Sequence, residues 1–352
     1  MTLNKYKVFY VDFADNFNTS NIYMFRHDLL NVTSPVLIIL LLSLECNINN
    51  TYNMSHIKLE MTRKYWDDFA ERFTETANRR MTLQCARHLH EHMQLDSAQN
   101  VLEVAAGAGL GSLDVVKYLS EGRSKLPLDC KRTFTVTDLS PVMIDMAKTN
   151  LSSVSTEAVE VQCREANGRM IDLIGSISAN SFRGVGQNLT DIVTGSVNRY
   201  IASLCLQLAP DPDALLREAS RVLTTDGIAG FTIWGSPDRS GTFVISTAAN
   251  NELGLNENVT EHPNFIMGKD LPALRQRFAK AGFNRVLIWP FQCLVELWSG
   301  EDFAKFQEKL IPLDDSELRI KRFELVKRLA DEWLAKGTPI GLETYIILAR
   351  KA

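Results

Sequence analysis

The sequence predicts a doubly wound α/β fold built on seven strands, and three observations carry that reading. From about residue 100 onward, short β-branched runs alternate with stretches whose apolar residues recur at three-and-four spacing. A glycine-rich turn follows the first run, and an acidic residue closes the second. The chain has 352 residues, 45% of them hydrophobic and 23% charged, which suits a soluble protein with one sizeable core or two smaller ones. The formal net charge is only −4, and no basic stripe stands out. Nucleic acid and anionic membranes are therefore poor candidate partners, and a neutral or apolar small molecule is a better one.

The elements follow in order. Residues 1–55 are rich in Asn and aromatics without a sustained period, and read as an N-terminal extension to a domain spanning 56–352. Val36 to Leu44 is strongly apolar but far short of the roughly 20 residues a membrane-spanning helix needs. Met54 opens the regular region and is a candidate start of translation. The stretch from Met61 to Leu95 predicts two helices. VLEVAAG (101–107) is the first strand, and a helix from Leu110 follows. FTVTDLS (134–140) is the second, followed by a helix over Pro141 to Leu151 with Ser140 as its N-cap and proline at its first position. AVEVQCREA (158–166) is the third strand and 197–206 the fourth. PDALLREASRVL is a helix and GIAGFTIWG the fifth strand. LPALRQRFAKAG is a helix stopped by Gly282, and the sixth strand runs from Asn284 to Trp298 with a bend at Pro290. Residues 301–337 form a helical insertion, and ETYIILARK ends the chain as the seventh strand. Alternation of this kind predicts a Rossmann-like, mostly parallel sheet with helices on both faces.

The strand ends carry the chemistry. In an open parallel sheet, ligands bind beyond the carboxyl ends of the strands. Gly107, Gly109 and Gly111 sit there after strand one, where glycine permits tight turns and close backbone approach to a ligand. Glu103, four residues before Gly107, can accept hydrogen bonds from a cationic amino-acid group. Asp138 ends strand two, where a carboxylate can bind both hydroxyls of a ribose. Glu165-Ala166-Asn167 ends strand three as a short polar turn suited to an adenine amino group.

VLEVAAGAGLG (101–111), TDLSPVMIDMAK (137–148) and PDPDALLREASRVLTTDGIAGFTIWG (210–235) together resemble the class I S-adenosylmethionine (SAM) dependent methyltransferases. The nearest look is to the small-molecule branch with the ubiquinone and menaquinone biosynthesis enzymes. The resemblance runs from about Tyr65 to the C-terminus. It implies SAM as cofactor and methyl transfer by in-line displacement to a small organic acceptor. It also implies that the last strand is antiparallel, at the far edge of the sheet. By residue, it implies the methionine part of SAM on Glu103, Ala105, Gly107, Ala108 and Gly109. The ribose falls to Asp138, with Leu139 and Met143 beside the adenine and Glu165 and Ala166 on its edge. Ser203 would end strand four, with Tyr65, and Trp66 beside it, as a lid.

The sequence departs from that pattern in two places. Residues 169–186 read as an insertion beside the adenine pocket, and Asn198 stands where the family commonly has Asp. An alternative register, with Thr190 to Val193 as strand four, leaves too long a gap before Asp211-Pro212. Because the sulfonium already activates the methyl group, a general base is optional and the sequence names no catalytic residue; any base should come from the N-terminal helices or from residues 236–300, which cover the acceptor side. SPDRSGTF (236–243), the region of His262, and Trp289 to Trp298 are candidates for the acceptor pocket, against ordinary core packing. His88, His90 and His92, with Cys85, place two histidines on one helical face, which reads as a solvated face rather than a metal site. The six scattered cysteines, with no CxxC pair, predict reduced thiols and a cytoplasmic setting. Two other functions stay open: an NAD(P)-dependent oxidoreductase, which leaves Glu103 unexplained, and a non-catalytic methyltransferase-like partner protein.

Overall fold

The computed structural model describes residues 50–120, 126, 130–152, 154, 159–165, 189, 192–255, 259 and 261–351. The apolar run Val36 to Leu44, most of the N-terminal extension, Ala166 and the insertion 169–186 lie outside the described residues. Among the described residues, no helix is long and apolar enough to cross a membrane.

Seven strands form one sheet: β1 (Asn100–Val104), β2 (Arg132–Asp138), β3 (Val159–Glu165), β4 (Val197–Ser203), β5 (Leu223–Trp234), β6 (Phe283–Leu294) and β7 (Gly341–Lys351). Their order across the sheet is β3-β2-β1-β4-β5-β7-β6. The strands from β3 through β5 pair in parallel, and β7 runs antiparallel to both neighbours. The antiparallel sense of the last strand agrees with the expectation, but its place does not. β7 lies between β5 and β6, and β6 is the edge. Burial explains the order. β7 is buried on both faces along most of its length, whereas β6 is mostly half-buried or exposed and contains Pro290, whose missing N–H is tolerated at an edge.

Helices cover both faces. Around the sheet lie α1 (Asn50–Phe73), α2 (Leu83–His92), α3 (Ser112–Ser120), α4 (Pro141–Leu151), α5 (Pro212–Val222), α6 (Gly241–Glu252), α7 (Ile266–Lys269), α8 (Leu271–Lys280), α9 (Gly300–Leu310) and α10 (Ser316–Leu334). A π-helical segment, Thr74–Thr82, joins α1 to α2, so the region read as two helices has three helical pieces. Alternation along each strand feeds two cores. Val101 and Ile201 join one with Leu89, Val115 and Phe303. Leu102, Tyr200 and Phe231 join the other with Leu215 and Phe278. Burying one such side chain stabilises the fold by about 1.5–3 kcal/mol.

Local chemistry fixes the helix starts. Ser140 Oγ accepts from the Met143 N–H at 3.1 Å, with Pro141 next in the chain, as the sequence predicts. Asp211 and Asp270 cap α5 and α8 in the same way, at 2.8 and 2.9 Å. Asn198 also has a structural task. Its Oδ1 accepts from the Gln99 and Asn100 N–H groups, at 3.2 and 2.8 Å, and so ties β4 to the start of β1. A carbonyl oxygen does this as well as a carboxylate, so asparagine here is compatible with the fold.

Candidate functional site

Strands β1 to β3 step one way across the sheet, and β4 returns to the other side of β1. Loops diverge at that switch point and leave a crevice at the carboxyl ends of β1 and β4. The cleft found there encloses about 900 Å³ out to its open mouth. Its floor is the turn after β1, its sides are the ends of β2 and β4, and α1, the π-helical segment and α2 form its remaining wall.

The floor is held in a strained turn. Ala105 has φ +52°, Gly107 +58° and Gly109 +74°, all in the left-handed region that disfavours a side chain. The Ala106 N–H donates to Thr137 O at 3.0 Å and anchors the turn to β2. At Gly107 an added Cβ would meet only Met143 Sδ, at 3.9 Å, so the backbone there faces open space. At Gly109 it would come within 3.1 Å of Ala147 Cβ on α4. Gly109 therefore serves close packing of the turn on α4, not the cleft.

Two carboxylates frame the floor. Glu103 is buried in β1 and accepts from Ser112 Oγ at 2.6 Å. Burial raises its carboxyl above the ordinary range, opposed by the nearby His90 and by the Ser112 bond. Asp138 Oδ2 accepts from the Gly107 N–H at 2.8 Å, and Oδ1 accepts from the Ser140 N–H at 2.9 Å. Burial pushes Asp138 up to about 6, and those two N–H bonds, with one from Leu139, pull against it. With three N–H donors on its two oxygens, the carboxylate keeps one lone-pair direction for a ligand. At the end of β4, Ser203 Oγ lies 2.9 Å from Thr232 Oγ1, and Leu204, at φ +52°, donates its N–H to Thr232.

Of the residues expected in the site, Glu103, Ala105, Gly107, Asp138, Leu139, Met143 and Ser203 line this one cleft. Ala166 lies outside the described residues, and the other described ones are not among the lining residues. Tyr65 is 52% exposed, and its neighbour Trp66 faces the cleft instead. Ala108 is buried beneath the turn with Ala70 and Met143. Glu165 stands beside Asp138 in the ladder but is ion-paired with Arg63 of α1 at 3.3 Å. Among the described residues, none of 236–300 lines the cleft. His262 packs among Trp234, Phe243 and Phe265, and Trp289 packs against His88 and His92. Of the tempting helical histidine face, Cys85 and His90 are buried, and His90 Nδ1 lies 2.9 Å from Asp114 Oδ2.

Sequence reasoning put the N-terminal helices on the acceptor side but named no site residue on them beyond Tyr65 and Trp66. Thr62, Phe73, Asn78, Thr82, Leu83 and Ala86 line the helical wall, with Cys205 and Leu208 after β4. Phe73, Asn78 and Leu83 are spaced by five, the i→i+5 hydrogen-bond step of the π-helical segment between Phe73 and Leu83, which brings all three to one wall. α1 is tied down beside the cleft: Ser140 Oγ donates to Asp67 Oδ1 at 2.5 Å, and Trp66 packs with Ala70, Ala108 and Met143. Trp66 and Phe73, seven apart, share a face with Ala70, and that spacing was the available signal.

The charge of the walls is one-sided. Among the described residues lining the cleft, Glu103 and Asp138 are the ionisable acids, and no Lys, Arg or His joins them. His90 stands near Glu103 but is shared with Asp114, so acids outnumber basic groups around the cleft and its walls favour a ligand that brings positive charge.

No protein-family model and no curated protein matches the sequence. Solved structures of similar shape include a protein described as a candidate methyltransferase from an antibiotic biosynthesis pathway of Anabaena variabilis. It is 16% identical, with a TM-score of 0.47 over 76% of this chain and 96% of that one. A SAM-dependent methyltransferase from Thermotoga maritima is 15% identical, with a TM-score of 0.41 over 84% and 100%. The [4+2]-cyclase SpnF is 17% identical, with a TM-score of 0.41 over 76% and 81%.

Proposed function

We propose that the chain is a SAM-dependent methyltransferase acting on a small organic acceptor. The observation that carries this reading is the pair of buried carboxylates, Glu103 and Asp138, flanking a glycine turn in a cleft whose described walls hold no cationic side chain. SAM brings an ammonium and a sulfonium, and when bound it supplies an activated methyl group for in-line displacement. A nicotinamide dinucleotide brings an anionic pyrophosphate, which Glu103 would repel.

The residues present fit SAM. Glu103, held by Ser112, is placed to accept from an ammonium. The remaining lone pair of Asp138 is placed to accept from a ribose hydroxyl, while its bonds to Gly107 and Ser140 keep the turn in shape. Met143 and Leu139 offer apolar contact for a base, and Ser203 offers a hydroxyl. Trp66, Phe73 and Leu83 give the helical wall an apolar surface that excludes water from the reacting centre, and Asn78 and Thr82 add neutral polar groups. Positioning of this kind can supply about 7–11 kcal/mol of a displacement barrier without any proton transfer. Cys85, Cys130, Cys163, Cys205 and Cys293 are all free thiols, which fits a reducing, cytoplasmic setting.

The test is incubation with methyl-labelled SAM and a small-metabolite extract, beside an NADH titration. Label in an extracted small molecule, with no NADH binding, is the expected result. Tight NADH binding with none of SAM would overturn the proposal, and SAM binding without transfer to any acceptor would point to the non-catalytic alternative.

A further inference from the structure

Helix α2 carries a second cluster that the cleft does not use. His88, Glu91 and His92 fall at positions i, i+3 and i+4, which share one helical face. One donor atom from each lies within 4.8 Å of the other two. His88 Nδ1 is already 3.2 Å from Glu91 Oε2. The cluster is backed by the edge strand: the His88 ring stacks on Phe291 at 4.4 Å and 16°, and His92 meets Trp289 edge-on at 5.1 Å. Trp289 Nε1 donates to His88 Nε2 at 3.3 Å, which turns Nδ1 of that ring toward Glu91.

We propose that His88, Glu91 and His92 form a surface site for one divalent transition-metal ion, of which zinc is the reference. Two imidazole nitrogens and one carboxylate oxygen are a donor set for Zn²⁺, Cu²⁺ or Ni²⁺ rather than for Mg²⁺ or Ca²⁺. Tetrahedral zinc, with ligand bonds near 2.0–2.1 Å, wants donors about 3.3 Å apart. His88 and Glu91 already stand at that separation, and rotation of the exposed His92 side chain by roughly 1.5 Å completes the set. The stack on Phe291 fixes the ring that would otherwise lose most freedom on binding. In the metal-free protein the partners place the His88 proton on Nδ1, facing Glu91. Zinc at Nδ1 moves that proton to Nε2 and exchanges the long Trp289 hydrogen bond for a metal–nitrogen bond. Three protein ligands leave the fourth position to water or to an incoming donor.

The experiment is a competition titration of tag-free, full-length protein with zinc against a chromophoric chelator, with thermal unfolding in the presence and absence of zinc. His92→Ala and Glu91→Gln change exposed side chains, so their unfolding midpoints without zinc should match the wild type. Binding of one equivalent with micromolar affinity is expected, with each variant weaker by at least about tenfold and its zinc-dependent rise in midpoint lost. Absence of wild-type binding tighter than about 100 µM would overturn the proposal. So would His92→Ala binding zinc as tightly as the wild type, since the ion would then be held elsewhere.

Discussion

Alanine at Gly109 separates packing from binding within the glycine turn. The native φ of +74° costs an L side chain about 1–2 kcal/mol. The new Cβ would also lie 3.1 and 3.2 Å from Ala147 Cβ and Cα, closer than ordinary contact. One of those atoms is backbone, so α4 itself has to shift, and overpacking of this kind adds about 1–3 kcal/mol. Gly109→Ala should therefore lose about 2–5 kcal/mol, a large part of the stability of an ordinary domain. Gly107→Ala meets only Met143 Sδ at 3.9 Å and bears the φ cost alone. Urea unfolding followed by circular dichroism measures both, and SAM titration by calorimetry reads the cleft. Gly109→Ala is expected to be the less stable by at least about 1 kcal/mol, and Gly107→Ala to bind SAM more weakly than the wild type. Equal stability of the two variants, or wild-type SAM affinity in Gly107→Ala, would refute the division of labour assigned to the two glycines.

Three further outcomes are expected. Ala105→Gly releases an alanine held at φ +52° and should stabilise the fold by up to about 1 kcal/mol in the same unfolding assay. Trp66→Ala should weaken SAM binding at least about tenfold, whereas Tyr65→Ala, at an exposed position, should stay within about twofold. Asp138 has a folded pKa of about 6 against 3.8 when unperturbed, so the folded chain holds the extra proton between those values. Its stabilising contribution is whole below pH 3.8 and is lost as pH rises through 6, leaving a ligand-free cost of about 3 kcal/mol above that. A ribose hydroxyl donating to the ionised carboxylate offsets this cost, so SAM affinity should climb between pH 5 and 7 and level off, and Asp138→Asn should flatten the climb in titrations across that range.

What the sequence made legible follows from period and position. The β-branched runs and the capped helices at Ser140 and Asp211 came through because strand and helix patterning is local. The carboxylates of β1 and β2 came through because parallel strands deliver their ends to one rim. The place of β7 did not, because FNRVLIWPFQCL of β6 reads as apolar as GLETYIILARK of β7, and only Pro290 marks β6 as an edge. The exchange of Tyr65 for Trp66 is a helix-phase effect, decided by Ala70 and Phe73 on the buried face. The contributions of Asn78 and Leu83 were hidden because a five-residue repeat leaves no mark in a search for a period of 3.6. The pairing of Glu165 with Arg63 was hidden because the two lie far apart in sequence.

The most direct test of the proposed site is a calorimetric titration of SAM into the wild type, Glu103→Gln and Asp138→Ala, each checked for an intact unfolding transition. SAM should bind the wild type at one equivalent, and each variant should lose at least about tenfold in affinity, since each removes a carboxylate from an otherwise uncharged wall. Unchanged affinity in both folded variants would contradict the assignment of this cleft to the cofactor.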